Sequence, residues 1–265
     1  MNNTKNLFKL SPAQSVKIQD EFKQLIVEAI NGSLFSIKNE NILAIYVRGS
    51  LSCGKGIKDL SDLDLVIITR TKLSTRSILW IIPLAARLER KYPFVSLVDL
   101  TVVSEDEILS DKYLPLRTNL ITKSLFLLGQ DIVKEMPRVI PDRNLTLKLN
   151  ENLITELKHL RKIFSDRNSY DKAEYQFRTK PYKFWCVWLC RTFIRSGFYF
   201  AMPKAGFYTQ DLLVCGKYFA TSYPEMADYV DVALKWSIYP ISSKKDLVSF
   251  IDNIIPKLKR IIKAF

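Results

Sequence analysis

Residues 46–69 read YVRGSLSCGKGIKDLSDLDLVIIT, and two phosphate-binding patterns overlap within them. Counted from its glycines, Gly49-x4-Gly54-Lys55 matches the start of a Walker A loop. Counted from its acids, Gly49-Ser50 is followed, after a gap of eleven residues, by Asp62-x-Asp64. A Walker A loop needs a strand before it, a helix opening at the lysine, and a Ser or Thr after the lysine to hold magnesium. The strand is there, at residues 42–47, but Lys55 is followed by Gly56. A few residues on, SDLDLVIIT reads as a strand, which leaves no room for a crossover helix. The acidic pattern decides the fold.

Asp62 and Asp64 are two apart where the chain enters that strand, so both carboxylates point to one face. Two carboxylates on one face repel each other unless a cation sits between them. Magnesium, which favours a few carboxylates plus phosphate oxygens, meets that need in company with a nucleoside triphosphate. Gly49 lets the backbone come close to a phosphate, and Ser50 offers a hydroxyl and an N–H at the start of the following turn. Asp99 is the only charge in the apolar run VSLVDLTVV, residues 95–103, and a charge there calls for a partner or a metal. If this strand lies beside residues 63–69, Asp99 faces the same ions and can take a proton from an attacking hydroxyl.

Outward from this stretch, Ser11-Pro12 caps a helix running to about residue 30, which Asn31-Gly32-Ser33 should end. Residues 74–91 read as a helix that Pro83 kinks or restarts. Residues 94–103 and 124–128 read as strands, the last running into Gly129. Two prolines in MPRVIPDRN, residues 136–144, mark a boundary. Beyond it everything reads as helix, at about 144–167, 181–200, 209–221, 223–236 and 243–263. The expected fold class is α+β, a small mixed-sheet module over residues 1–135 followed by an all-helical domain over 144–265.

Composition narrows the chemistry. The 265 residues are 48% hydrophobic with 8 Gly and 11 Pro, an ordinary globular balance. The N-terminus lacks an apolar leader and no run approaches the roughly 18 residues of a membrane span, so a cytoplasmic protein without a membrane partner is expected. Cys53, Cys186, Cys190 and Cys215 have no C-x-x-C spacing and are expected to be plain thiols. A single histidine, His159, excludes a zinc site built on several histidines, and no G-x-S-x-G elbow accompanies it. Chemistry must therefore rest on carboxylates, lysines and hydroxyls. Residues 1–135 carry 18 Lys+Arg against 15 Asp+Glu, whereas residues 136–265 carry 22 against 12, so most of the net charge of +13 lies in the second half. That half suits an anionic partner such as a nucleotide or RNA, or simply has a lysine-rich surface.

Gly49-Ser50, Asp62-Leu63-Asp64-Leu65 and the later strand aspartate Asp99 resemble the nucleotidyltransferase superfamily that includes DNA polymerase β and the aminoglycoside nucleotidyltransferases. FLLGQDI, residues 126–132, is similar to the strand and glycine that close this module in antibiotic adenylyltransferases. The resemblance implies a polymerase β-like fold, a nucleoside triphosphate donor such as ATP, two Mg2+ ions with Asp62 and Asp64 as ligands, and Asp99 as third ligand or base. It covers about half of the chain, and the Gly-Ser-x-x-x-Gly-Thr run of oligoadenylate-type synthases is absent.

In the second half, residues 170–208 hold 13 aromatics among seven basic residues. Lys180 and Lys183, at the start of a helix near Pro181, are candidate clamps for the triphosphate, where relatives commonly carry a basic residue. Phe184 and Trp188, four apart, read as a core stripe. Tyr208 is a candidate to stack on the base. The basic, amphipathic residues 250–265 are expected to dock their Ile and Leu face on the helical domain. Three functions follow: nucleotidyl transfer to a small molecule of antibiotic type, transfer to RNA (a tRNA end) or a protein hydroxyl, and a non-catalytic nucleotide-sensing or partner-binding module. An intact set of three acids favours the enzymes. A helical half at +10 argues against a polycationic acceptor.

Overall fold

The computed structural model describes residues 7–37, 39–165 and 182–265. The chain divides into two compact units, Met1–Arg138 and Val139–Phe265.

The first unit is built on a four-stranded sheet of β1 (Ile42–Arg48), β2 (Leu63–Thr69), β3 (Val98–Ser104) and β4 (Ser124–Gly129), in the order β3-β2-β1-β4. β1 runs antiparallel to β2 and β4, whereas β3 is parallel to β2. Ile45, Val47, Leu65, Ile67 and Leu100 face one core, under α2 (Asp20–Ser36) and α3 (Ile81–Lys91). Ala44, Tyr46, Val66, Ile68 and Val103 face the other, with Ile108 of α4 (Glu105–Leu109) and Leu120 of α5 (Leu114–Lys123). Every residue of β2 is buried, as expected of an inner strand covered on both faces. The second face, followed to the end of β1, carries the polar residues of the site.

The helix expected from Ser11-Pro12 is two helices. Ser11 caps α1 (Pro12–Lys17) with a capping box to Gln14. The chain breaks at Gln19, whose amide side chain both donates to Gly56 O and accepts from Gly56 N, each at 2.7 Å. Asn31-Gly32-Ser33 does not end α2, which continues to Ser36. Gly32 lies against Leu84 of α3, which a Cβ would meet at 2.7 Å, and Ser33 is buried with its hydroxyl donating to Ala29 O. Tertiary packing has overridden three poor helix formers. A short 3-10 turn (Arg76–Ile78) precedes α3, so Pro83 falls in the helix's first turn, where the backbone tolerates it. β3 starts four residues later than expected, because residues 94–97 form the turn that enters it. Gly129 closes β4 at φ +92, with no room for a Cβ beside Leu43 O.

The second unit is helical throughout its described residues: α6 (Arg143–Leu149), α7 (Leu153–Ser165), α8 (Tyr182–Ala205), α9 (Leu212–Ser222), α10 (Ala227–Ile238) and α11 (Lys244–Ala264). The helix expected over 144–167 is broken at residues 150–152, where Asn150 turns its amide into the core and donates to Ser196 O at 3.3 Å. α8 buries residues on all sides and is the core helix of the unit. α11 packs Leu247, Ile251, Ile254 and Leu258 inward, with an Arg161–Asp252 ion pair at the rim. No helix among the described residues is long and apolar enough to cross a membrane. All four cysteines are free.

Candidate active site

The site begins where β1 ends. Gly49 adopts φ +76, which turns the chain out of the sheet. An ideal Cβ on it would stand 2.8 Å from Asp64 Oδ2, so backbone conformation and the passing carboxylate both require glycine here. A 3-10 turn (Leu51–Cys53) follows and closes at Gly54, φ +63, whose N–H donates to Leu51 O. Ser50 O accepts from Cys53 N and Lys55 N, so Lys55 lies in an exposed turn and heads no helix. The Walker A pattern is thus a loop between two antiparallel strands.

A chain of hydroxyls ties this loop to the acids. Ser50 Oγ donates to Ser61 Oγ at 3.0 Å, and Ser61 Oγ accepts from Ile57 N at 2.8 Å. Ser61 is buried and directly precedes Asp62. Its carbonyl accepts from Ser96 N, and Leu63 N donates to Leu97 O, which holds the entry of β2 against the entry of β3. That clamp fixes the register in which Asp64 lies opposite Asp99 on one side and Arg48 on the other.

Arg48, Asp64 and Asp99 therefore form a row across three strands on one face. Arg48 Nη2 lies 3.0 Å from Asp64 Oδ1 and 3.4 Å from Asp99 Oδ2. The side chain of Asp64 is 11% exposed and that of Asp99 41%. Although Asp99 keeps contact with solvent, the protein packed around it pushes its pKa above the usual carboxylate range. The Arg48 guanidinium opposes that rise and the charge of Asp62 adds to it. Asp62 is thus an electrostatic neighbour of Asp99. Thr101 Oγ1 donates to Asp99 Oδ1 at 3.4 Å. Among the described residues, no three His, Cys, Asp or Glu side chains are gathered as they stand into a group that could hold a metal ion. A guanidinium sits between two of the acids instead.

Gly49, Ser50, Asp62, Asp64 and Asp99 are brought to one end of the sheet. Sequence reasoning misses Arg48, whose signal is a lone charge ending an otherwise apolar strand beside Gly49. Of the candidates in the second unit, Lys183 is an exposed residue in the first turn of α8, and Lys180 lies outside the described residues. Tyr208 stacks on Tyr199, with centroids 5.8 Å apart and 13° between planes, and its hydroxyl accepts from Gln210 Nε2 at 2.9 Å. One face of that ring is therefore already covered.

No protein-family model matches the chain, and no curated protein matches its sequence. Its fold is similar to that of spectinomycin adenyltransferase AAD(9) from Enterococcus faecialis, crystallised with ATP and spectinomycin. The TM-score is 0.56 at 17% identity, over 89% of this chain and 98% of that one. This is a nucleotidyltransferase fold. Two toxin–antitoxin structures, one with AMP-PNP and one a MntA-HpeT mutant, align over 54% of this chain at TM-scores of 0.31 and 0.29, with 19% and 16% identity. In the nucleotidyltransferase fold seen here, the Gly49 loop and the row of acids share one end of the sheet, and a ligand there would meet carboxylates, hydroxyls and one guanidinium.

Proposed function

We propose that this chain is a magnesium-dependent nucleotidyltransferase that moves a nucleoside monophosphate, AMP from ATP, onto a hydroxyl of a small acceptor of antibiotic type. The observation that carries this reading is the register pairing of Asp64 with Asp99, with Asp62 beside them, at the Gly49-Ser50 loop. The structural neighbour crystallised with ATP and spectinomycin supports the choice of donor and acceptor class. We assign residues 1–135 as the catalytic module and 144–265 as the acceptor- and nucleotide-binding domain, in a cytoplasmic protein whose thiols stay reduced.

The donor set suits magnesium in kind, since Asp62, Asp64 and Asp99 offer hard carboxylate oxygens without a His or Cys among them. Burial raises the pKa of Asp99 and the charge of Asp62 adds to that rise, so a cation beside these acids would favour their ionised form. When bound, the ion supplies charge neutralisation and Lewis-acid polarisation at the phosphate oxygens. Gly49 leaves the backbone open to the triphosphate, and the Ser50–Ser61 bond steadies that approach. Asp99 accepts the proton of the acceptor hydroxyl on a carboxylate oxygen, a task its raised basicity suits. The hydroxyl oxygen then bonds to the α-phosphorus as the bond to pyrophosphate breaks. In the helical unit, Lys180 and Lys183 are proposed phosphate contacts and Tyr208 a base contact.

Incubation with α-labelled ATP, Mg2+ and a panel of aminocyclitols and aminoglycosides tests the reaction. Label should pass to an acceptor with release of pyrophosphate, and Asp62→Asn or Asp64→Asn should lower the rate by about 100-fold or more, because several kcal/mol of charge stabilisation is removed. Unchanged transfer in both variants would remove the metal assignment. The basic balance of residues 136–265 favours a second reading, transfer to an RNA end. RNA retention that falls steeply as salt rises, with labelling of an RNA 3′ end, would support it over the first.

A further inference from the structure

Arg48 is placed where a cation is needed. It is the last residue of β1, level with Asp64 on β2, which is level with Asp99 on β3. A single nitrogen, Nη2, reaches an oxygen of each acid, Asp64 Oδ1 at 3.0 Å and Asp99 Oδ2 at 3.4 Å. Asp64 cannot turn away easily, because its other oxygen lies against Gly49, 2.8 Å from where a Cβ would stand. A buried carboxylate left alone is costly, and two side by side more so. The guanidinium offsets part of both costs while no other cation is present. It already stands against an oxygen of each acid, so a divalent ion held by these acids would have to compete with it.

We propose that Arg48 is a resident counter-ion that a divalent cation displaces, so that its ion pairs with Asp64 and Asp99 and metal occupancy exclude one another. The inference rests on the reading of Asp62, Asp64 and Asp99 as metal ligands. It adds a threshold to that reading, because the metal must compete with a tethered positive charge before nucleotide chemistry begins. It also gives the displaced guanidinium a destination. Arg48 adjoins the Gly49-Ser50 loop, and once released it is a cation beside the site of a polyphosphate, whose oxygens a guanidinium can bind in a fork. Linkage makes the competition reciprocal, since whatever the ion pairs cost the metal, the metal costs the ion pairs.

The test is Mn2+ binding to the full chain, read from the electron paramagnetic resonance signal of the free ion and from unfolding temperature with and without Mn2+. Arg48→Met should bind Mn2+ more tightly than the wild type, on the order of 10-fold. Its metal-free form should unfold at a lower temperature, and Mn2+ should raise that temperature by more than it does in the wild type. Arg48→Lys keeps a charge but loses the fork, and should tighten Mn2+ binding by a smaller factor, which gives a readout if Arg48→Met does not fold. Asp64→Asn is the control for site-specific binding. If Mn2+ binding depends on Asp64 but is equal or weaker in the folded Arg48 variants, Arg48 is a permanent partner and the inference fails while the metal assignment stands. If no protein shows Asp64-dependent binding, the metal assignment fails and the inference falls with it.

Discussion

Gly49 shows how much one residue without a side chain can decide. Its φ of +76 and the Asp64 oxygen, 2.8 Å from the place a Cβ would take, make two independent demands on the same position. Gly49→Ala should therefore cost about 1–3 kcal/mol in a urea titration, from the left-handed backbone alone. It should also weaken Mn2+ binding, because Asp64 has to shift to make room. A stable Gly49→Ala protein with unaltered metal binding would show that the close approach is unimportant. At this scale the acids are legible in sequence for a physical reason. Spacing by two in a strand fixes a face, and Asp99 stands out as a lone charge in an apolar run. Arg48 is also a lone charge on an apolar strand, but its role is not legible. Its meaning lies in a cross-strand register with Asp64 and Asp99, and registers between distant strands leave no local periodicity. From sequence, Ser50 offers its hydroxyl to a phosphate. The structure gives that hydroxyl to Ser61, a residue whose role depends on the loop folding back.

Among the elements, strands are easier to read than helix ends. β2 matches its expected bounds, 63–69, because a bounded apolar run entered by two acids has few other solutions. Helix boundaries fail where a distant side chain intervenes. Gln19 breaks the first helix by bonding to Gly56, and Leu84 allows Gly32 to stay inside α2. A second helical glycine gives a sharper test. Gly197 of α8 faces the ring of Phe219, which a Cβ would overlap, with ring carbons 2.1–2.3 Å away. Alanine is the better helix former by about 1 kcal/mol, yet overpacking against a buried ring costs about 1–3 kcal/mol or more. Gly197→Ala should thus lower the thermal midpoint of the protein, and a raised midpoint would mean that Phe219 and its neighbours Phe193 and Tyr223 repack freely.

Across the whole molecule, sequence pattern separates a mixed α/β stretch from a helical one, because strand periodicity stops near the two prolines at 137 and 141. The charge divides in the same way, with the excess of Lys and Arg in residues 136–265. An anionic nucleotide suits that balance, and a polycationic acceptor suits it less. The acceptor is the least legible feature, since no motif in the sequence identifies it. The central claim, that Asp62, Asp64 and Asp99 hold a divalent ion for a nucleoside triphosphate, does not depend on the acceptor. Calorimetric titration of ATP into the wild type and Asp64→Asn, each with Mg2+ and with the ion chelated, tests it most directly. The account predicts that ATP binds the wild type only when Mg2+ is present and that Asp64→Asn loses this Mg2+-dependent binding. Equal ATP binding with the ion chelated, or in Asp64→Asn, would contradict it.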